Sequence, residues 1–227
     1  MKMPLLLLHG AIGAPVQLQT IADILEDKYA VYTPPFPGHG GVAMPDEPFS
    51  IPFFAKFIAD YIVQYSLAPV TIAGYSMGGY VAMYLARHQP HLVKRVVTLG
   101  TKFYWDAAVA QKETALLQPD TLLAKVPAFA ATLEKMHAPN DWKQVLARTA
   151  DMLQAMGQHN PLQEEDYAEI TVPVTVMRGD RDKMVTMEET LAVYQRLSNA
   201  RLAIVPGTPH AIELAPEDLL AALISLA

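Results

Sequence analysis

The feature that most constrains this chain is a rhythm: short, nearly unbroken apolar runs alternate with longer stretches of helical periodicity. Residues 5–8, 29–33, 70–73, 93–99, 172–177 and 201–205 read as strands. Most of these runs are continuously apolar rather than alternating, the pattern of strands covered on both faces. Between them, residues 16–27, 52–65, 77–88, 186–197 and 216 onward carry helical patterns, with Ser50 a plausible N-cap for the second. Six strands joined by helices imply a mostly parallel, doubly wound α/β sheet.

One connection is much longer than the rest. From Thr101 to about Glu169 the chain reads as helices broken at Pro119, Pro127, Pro139 and Pro161. Long insertions in compact domains are usually functional, so residues 101–165 are expected to form a helical cap on a core built from residues 1–100 and 166–227. With 52% apolar and 18% charged residues, the chain can bury a core of that size.

The same composition removes whole classes of function. A net charge of −6 without a basic block gives no electrostatic grip on nucleic acid or an anionic membrane. The absence of cysteine removes disulfides and thiolate chemistry. The N-terminal run Leu5-Leu6-Leu7-Leu8 is too short for a signal peptide or a span of about 20 apolar residues. A cytoplasmic protein acting on a small molecule, as monomer or homodimer, is the expectation. No His/Asp/Glu group has metal-ligand spacing such as His-Glu-x-x-His, so neither metal nor cofactor is expected.

Gly74-Tyr75-Ser76-Met77-Gly78 lies between a strand and a helix. A serine on a sharp strand-to-helix turn is held in a strained backbone and exposed at the carboxyl edge of the sheet. Side chains two positions either side would clash with the neighbouring elements, which is why glycine stands there. Ser76 is therefore the candidate nucleophile. Acyl transfer then needs two N–H donors for the oxygen that becomes negative. Met77, just after the nucleophile, and Ala11, in the loop closing the first strand, are the expected pair, with Ile12 as the alternative to Ala11. His9 in that loop reads as a brace rather than a reacting group.

Position sorts the seven histidines. His210, in Gly207-Thr208-Pro209-His210, follows the last strand at the same sheet edge as Ser76 and is the expected base. His39 sits in a Pro-Gly-His-Gly turn, where a structural or rim role is expected. His88 and His91 lie at the far end of a helix, and His137 and His159 read as solvated or pocket-lining in the cap. For the acid that orients the base, Gly179-Asp180-Arg181-Asp182 offers two carboxylates. Asp182 is preferred as deeper in the turn, with Asp180 pairing Arg181. Among cap-side residues, Trp105 and Phe103, directly after the fourth strand, are expected to touch substrate, with Ile12 and Tyr75. The methionines and aromatics of the cap suit an apolar acyl pocket.

Together these pieces resemble the alpha/beta-hydrolase superfamily: His9-Gly10, Pro37-Gly38-His39-Gly40, Gly74-x-Ser76-x-Gly78, Gly179-x-x-Asp182 and Gly207-x-x-His210, in the order Ser, Asp, His. The resemblance covers residues 1–100 and 166–227 and does not extend through the cap. Some relatives take the acid from the end of the strand before the cap, but here Gly100-Thr101-Lys102 offers no carboxylate. The resemblance implies a serine carboxylesterase acting on a small or medium ester with an apolar acyl group. The same triad also serves thioester, lactone or carbon–carbon bond hydrolysis and acyl transfer, and a ligand-binding protein with weak turnover is the alternative of a different class.

Overall fold

The computed structural model describes residues 2–226. Six strands form one sheet: β1 (Met3–Leu8), β2 (Tyr29–Tyr32), β3 (Val70–Tyr75), β4 (Val93–Leu99), β5 (Val174–Gly179) and β6 (Ala200–Val205), in the order β2-β1-β3-β4-β5-β6 with every neighbouring pair parallel. The chain steps outward from β1 to β2, then crosses back to place β3 on the other side of β1. That reversal puts the carboxyl ends of β1 and β3 side by side, Leu8 in register with Gly74. Open α/β sheets carry their ligand sites at such a switch point.

The leucine run of β1 shows why continuous apolar strands demand two covered faces. Leu6 and Leu8 pack into a core shared with α2 (Ile51–Gln64) and α3 (Met77–His88), whereas Leu5 and Leu7 pack on the opposite face with α1 (Gln19–Leu25) and the C-terminal helix Glu217–Leu226. All four are essentially inaccessible, each contributing about 2 kcal/mol of burial.

Between β4 and β5 the insertion folds as α4 (Ala107–Thr114), α5 (Pro119–Lys125), α6 (Pro127–His137), α7 (Trp142–Gln158) and α8 (Glu164–Ala168). Pro119 and Pro127 each occupy a first helical position, where the missing N–H costs nothing, while Pro139 and Pro161 fall between helices. After β5 come α9 (Met187–Arg196) and, closing the chain, α10 (Glu217–Leu226).

Several expected boundaries move by a few residues. Ser50 caps α2 as expected, accepting from the Phe53 amide at 3.2 Å. The helix expected from residue 16, however, starts as a short 3-10 turn, Pro15–Leu18, before α1. β5 starts at Val174 rather than 172, since Pro173 has no N–H for a central ladder. β3 runs on to Tyr75, delivering its last residue directly into the turn. Among the described residues, no helix is long and apolar enough to cross a membrane.

Candidate active site

Ser76 stands between β3 and α3 with φ 52° and ψ −119°, a conformation an L-residue adopts only under constraint. The surrounding contacts supply that constraint. The Ser76 amide donates to the Leu99 carbonyl at 2.8 Å, and the Thr101 hydroxyl donates to the Ser76 carbonyl at 3.0 Å. A Cβ on Gly74 would lie 2.4 Å from the Gly78 backbone, and one on Gly78 would lie 2.4 Å from the Leu8 carbonyl oxygen. Only glycine lets strand, turn and helix approach this closely.

Asp182 and His210 lie just beyond the ends of β5 and β6. Asp182 Oδ2 and His210 Nδ1 are 2.8 Å apart. The other carboxylate oxygen accepts from the Met184 and Val185 amides at 2.8 and 2.9 Å. Burial by itself would push this carboxyl up. The hydrogen bond and charge of His210, with the two amides, outweigh it and hold Asp182 below the usual carboxylate range. Asp180 does not pair with Arg181 as expected. It accepts from the Thr208 amide at 3.1 Å, while the Arg181 amide donates to the Thr208 carbonyl, so the acid loop and the base loop are laced together.

Two supports were not foreseen. Arg178, a lone cation inside an apolar strand, is buried and donates to the carbonyls of Val185, Gly179 and Asp182 at 2.6–2.8 Å, folding the acid loop around its guanidinium. Tyr75 donates from its hydroxyl to the His210 carbonyl at 2.9 Å, so it braces His210 as well as facing the cavity.

Ala11, Ile12 and Met77 all line the same cavity as Ser76 and His210. Ile12 has φ 52°, an outlier for a β-branched residue, and its carbonyl accepts from His137 Nε2 at 3.0 Å. The other nitrogen of His137 accepts from the Gly40 amide at 3.2 Å. His137 is thus neither solvated nor pocket-lining; it is buried and ties α6 to both substrate-side loops. Asn140 and Arg148 add further tethers, donating to the carbonyls of Gly38 and Val42 and of Pro45 and Glu47. His9 behaves as the expected brace, accepting from the Phe36 amide at 3.2 Å and donating from Nδ1 to the Gly10 carbonyl at 2.8 Å. His39 is buried beside it, its rings 5.3 Å from His9 and 5.7 Å from His137.

The cavity has a volume of about 380 Å³, within the range of small-molecule sites. Trp105 lines it, with its indole N–H donating to the Lys102 carbonyl at 3.1 Å. Phe103 does not reach it, contrary to expectation. Its side chain turns into the core against Tyr80 and Tyr167, because Glu189 and Asn160 hold its backbone on both sides. Among the described residues, no group of three or more His, Asp and Glu side chains has the geometry to hold a metal ion.

A family model described as "Alpha/beta hydrolase family" matches residues 5–223. The chain belongs to the alpha/beta hydrolase family. Among curated relatives of this alpha/beta hydrolase, the pimeloyl-[acyl-carrier protein] methyl ester esterase of Neisseria meningitidis serogroup C is 28% identical, over 96% of the chain and 90% of the relative. The enzyme of the same description from Aromatoleum aromaticum is also 28% identical, with 94% of each covered. Among solved structures, the enol-lactonase of Burkholderia xenovorans LB400 superposes with a TM-score of 0.79 at 17% identity, covering 99% of this hydrolase and 90% of the lactonase, a likeness of fold.

Proposed function

We propose that this alpha/beta hydrolase is a serine esterase that cleaves small or medium carboxylic esters with an apolar acyl group. The observation that carries the reading is Ser76, held in a strained turn and opening on the same mostly apolar cavity as a histidine fixed by a buried carboxylate. Asp182 holds His210 in the tautomer with the proton on Nδ1, leaving Nε2 to take the proton of the serine hydroxyl. Ser76 Oγ attacks the ester carbonyl, and the amides of Met77 and Ala11 receive the developing oxyanion. His210 returns the proton to the leaving alcohol. Water, deprotonated by the same histidine, then releases the acid from the acyl-enzyme. The two curated relatives named as methyl ester esterases support an ester as the bond cleaved.

The helical insertion supplies the apolar wall of the cavity through Leu133, Met136, Met152 and Met156, so residues 101–165 act as the acyl-binding cap. Turnover of p-nitrophenyl esters from acetate to long acyl chains, by wild type and Ser76→Ala, tests the reading. Hydrolysis that disappears in Ser76→Ala is expected, with rate peaking at the chain length that fills the cavity. Turnover that persists in the variant, or none on any ester, would overturn it.

A further inference from the structure

The wall that the insertion contributes to the cavity is mostly apolar, with Lys102, Glu113 and Thr149 as its polar members. Glu113 on α4 and Thr149 on α7 both line it, with 6% and 1% of their surface accessible. The Thr149 hydroxyl oxygen has no hydrogen-bond partner, and Glu113 enters no ion pair among the described residues. Buried polar groups are nearly always satisfied, and one left open on a cavity wall is a place for a ligand atom. The neighbouring charges sharpen this. Lys102, the one ammonium on the wall, is committed to Glu189 at 3.2 Å and to the Met184 carbonyl at 2.9 Å. A second carboxylate of the lining, the exposed Glu213, accepts from Gln17. Among the described residues, the cavity lining therefore carries two carboxylates and no lysine or arginine free to receive an anion. Glu113 belongs to the wall built by the insertion, in the last turn of α4, and not to the strand ends that carry Ser76, Asp182 and His210.

We propose that the substrate's non-scissile end carries a hydrogen-bond donor, a terminal hydroxyl or amine, received by Glu113 and Thr149, and that a terminal carboxylate is turned away. The proposal rests on the esterase reading and names the substrate class for that same site. A carboxylate placed here would meet an unpaired carboxylate, whereas a donor satisfies it.

Three methyl esters of equal chain length separate the possibilities: methyl hexanoate, methyl ω-hydroxyhexanoate and monomethyl adipate, followed by acid release. In wild type the hydroxy ester is expected to be turned over fastest and the adipate monoester at least about 10-fold more slowly than the hexanoate. In Glu113→Gln, isosteric and checked for an unchanged melting temperature, the ratio of monoester to hexanoate turnover is expected to rise about tenfold. Equal rates on the three esters in wild type, or an unchanged ratio in Glu113→Gln, would overturn the assignment. Thermal stabilisation of the Ser76→Ala protein by the same esters gives the ranking without turnover. The ranking kept there while wild type hydrolyses nothing would sink the esterase reading alone. A reversed, equal or absent stabilisation would sink the acceptor.

Discussion

Acid should destabilise this protein through His9 before its carboxylates are neutralised. The ring is fully buried between the Phe36 amide and the Gly10 carbonyl, one nitrogen accepting and the other donating, an arrangement only the neutral ring can make. Burial, opposed only in part by the Gly10 carbonyl, pushes its pKa down from 6.5 to about 4. Because the folded value lies below the unfolded one, the unfolded chain binds the extra proton in between. Stability from this group is complete above pH 6.5 and is lost as the pH falls toward 4. Linkage gives a loss of about 2 kcal/mol between pH 7 and pH 5, and about 3 kcal/mol by pH 4. His39 and His137, also lowered chiefly by burial, add to the loss in the same direction. Asp182, whose pKa is depressed, loses its contribution only below the carboxylate range and so stays outside this window. The assay is urea unfolding followed by circular dichroism at pH 7 and pH 5, for wild type and His9→Asn. Asparagine cannot take up the proton, so the variant should start less stable at pH 7 by about 1–3 kcal/mol for the disturbed bonds, yet lose about 2 kcal/mol less on acidification. Identical losses in the two proteins would refute the argument.

Three further outcomes follow from contacts already described. Asp182→Asn keeps the acceptor for Met184 and Val185 but turns an NH₂ toward His210 Nδ1, forcing the wrong tautomer; the ester kcat should fall by about 10³–10⁴-fold with little change in melting temperature. Gly78→Ala drives a methyl group to 2.4 Å from the Leu8 carbonyl oxygen, backbone that cannot step aside; a loss of at least about 3 kcal/mol, or failure to accumulate folded protein, is expected in thermal unfolding. His137→Phe removes the bond that holds the Ile12 carbonyl and should lower kcat about 10-fold or more while leaving KM less affected, read from initial rates on the preferred ester.

The candidate site residues that could be read in the sequence are those whose placement is fixed locally. Ser76, Asp182 and His210 each follow a recognisable strand end, and the parallel sheet brings those ends to one edge whatever lies between them. The helical insertion was legible as proline-punctuated helices, but not its contacts. His137 binds a loop 125 positions earlier in the chain, and nothing in its neighbourhood distinguishes it from a solvated histidine. Arg178 left a trace, a charge in a strand of apolar residues, that can be read only once the loop it gathers is seen. Phe103 misled because its position places the backbone near the site, whereas the direction of its side chain is set by Glu189 and Asn160, remote in sequence. Glu113 passes for an ordinary helix residue until its place on the cavity wall is seen.

The bond from the Tyr75 hydroxyl to the His210 carbonyl joins positions 135 residues apart, and it is one of the contacts that sets the base beside the nucleophile loop. Helices and individual strand pairs can form without it, since they need only near neighbours; such distant closures are among the slowest steps of assembly. Ester cleavage would therefore return last when the denatured chain is allowed to refold, trailing the recovery of helical circular dichroism. On the proposed reading, that activity is a reporter of completed assembly, one that stays silent on any intermediate in which the two halves of the sheet have yet to meet.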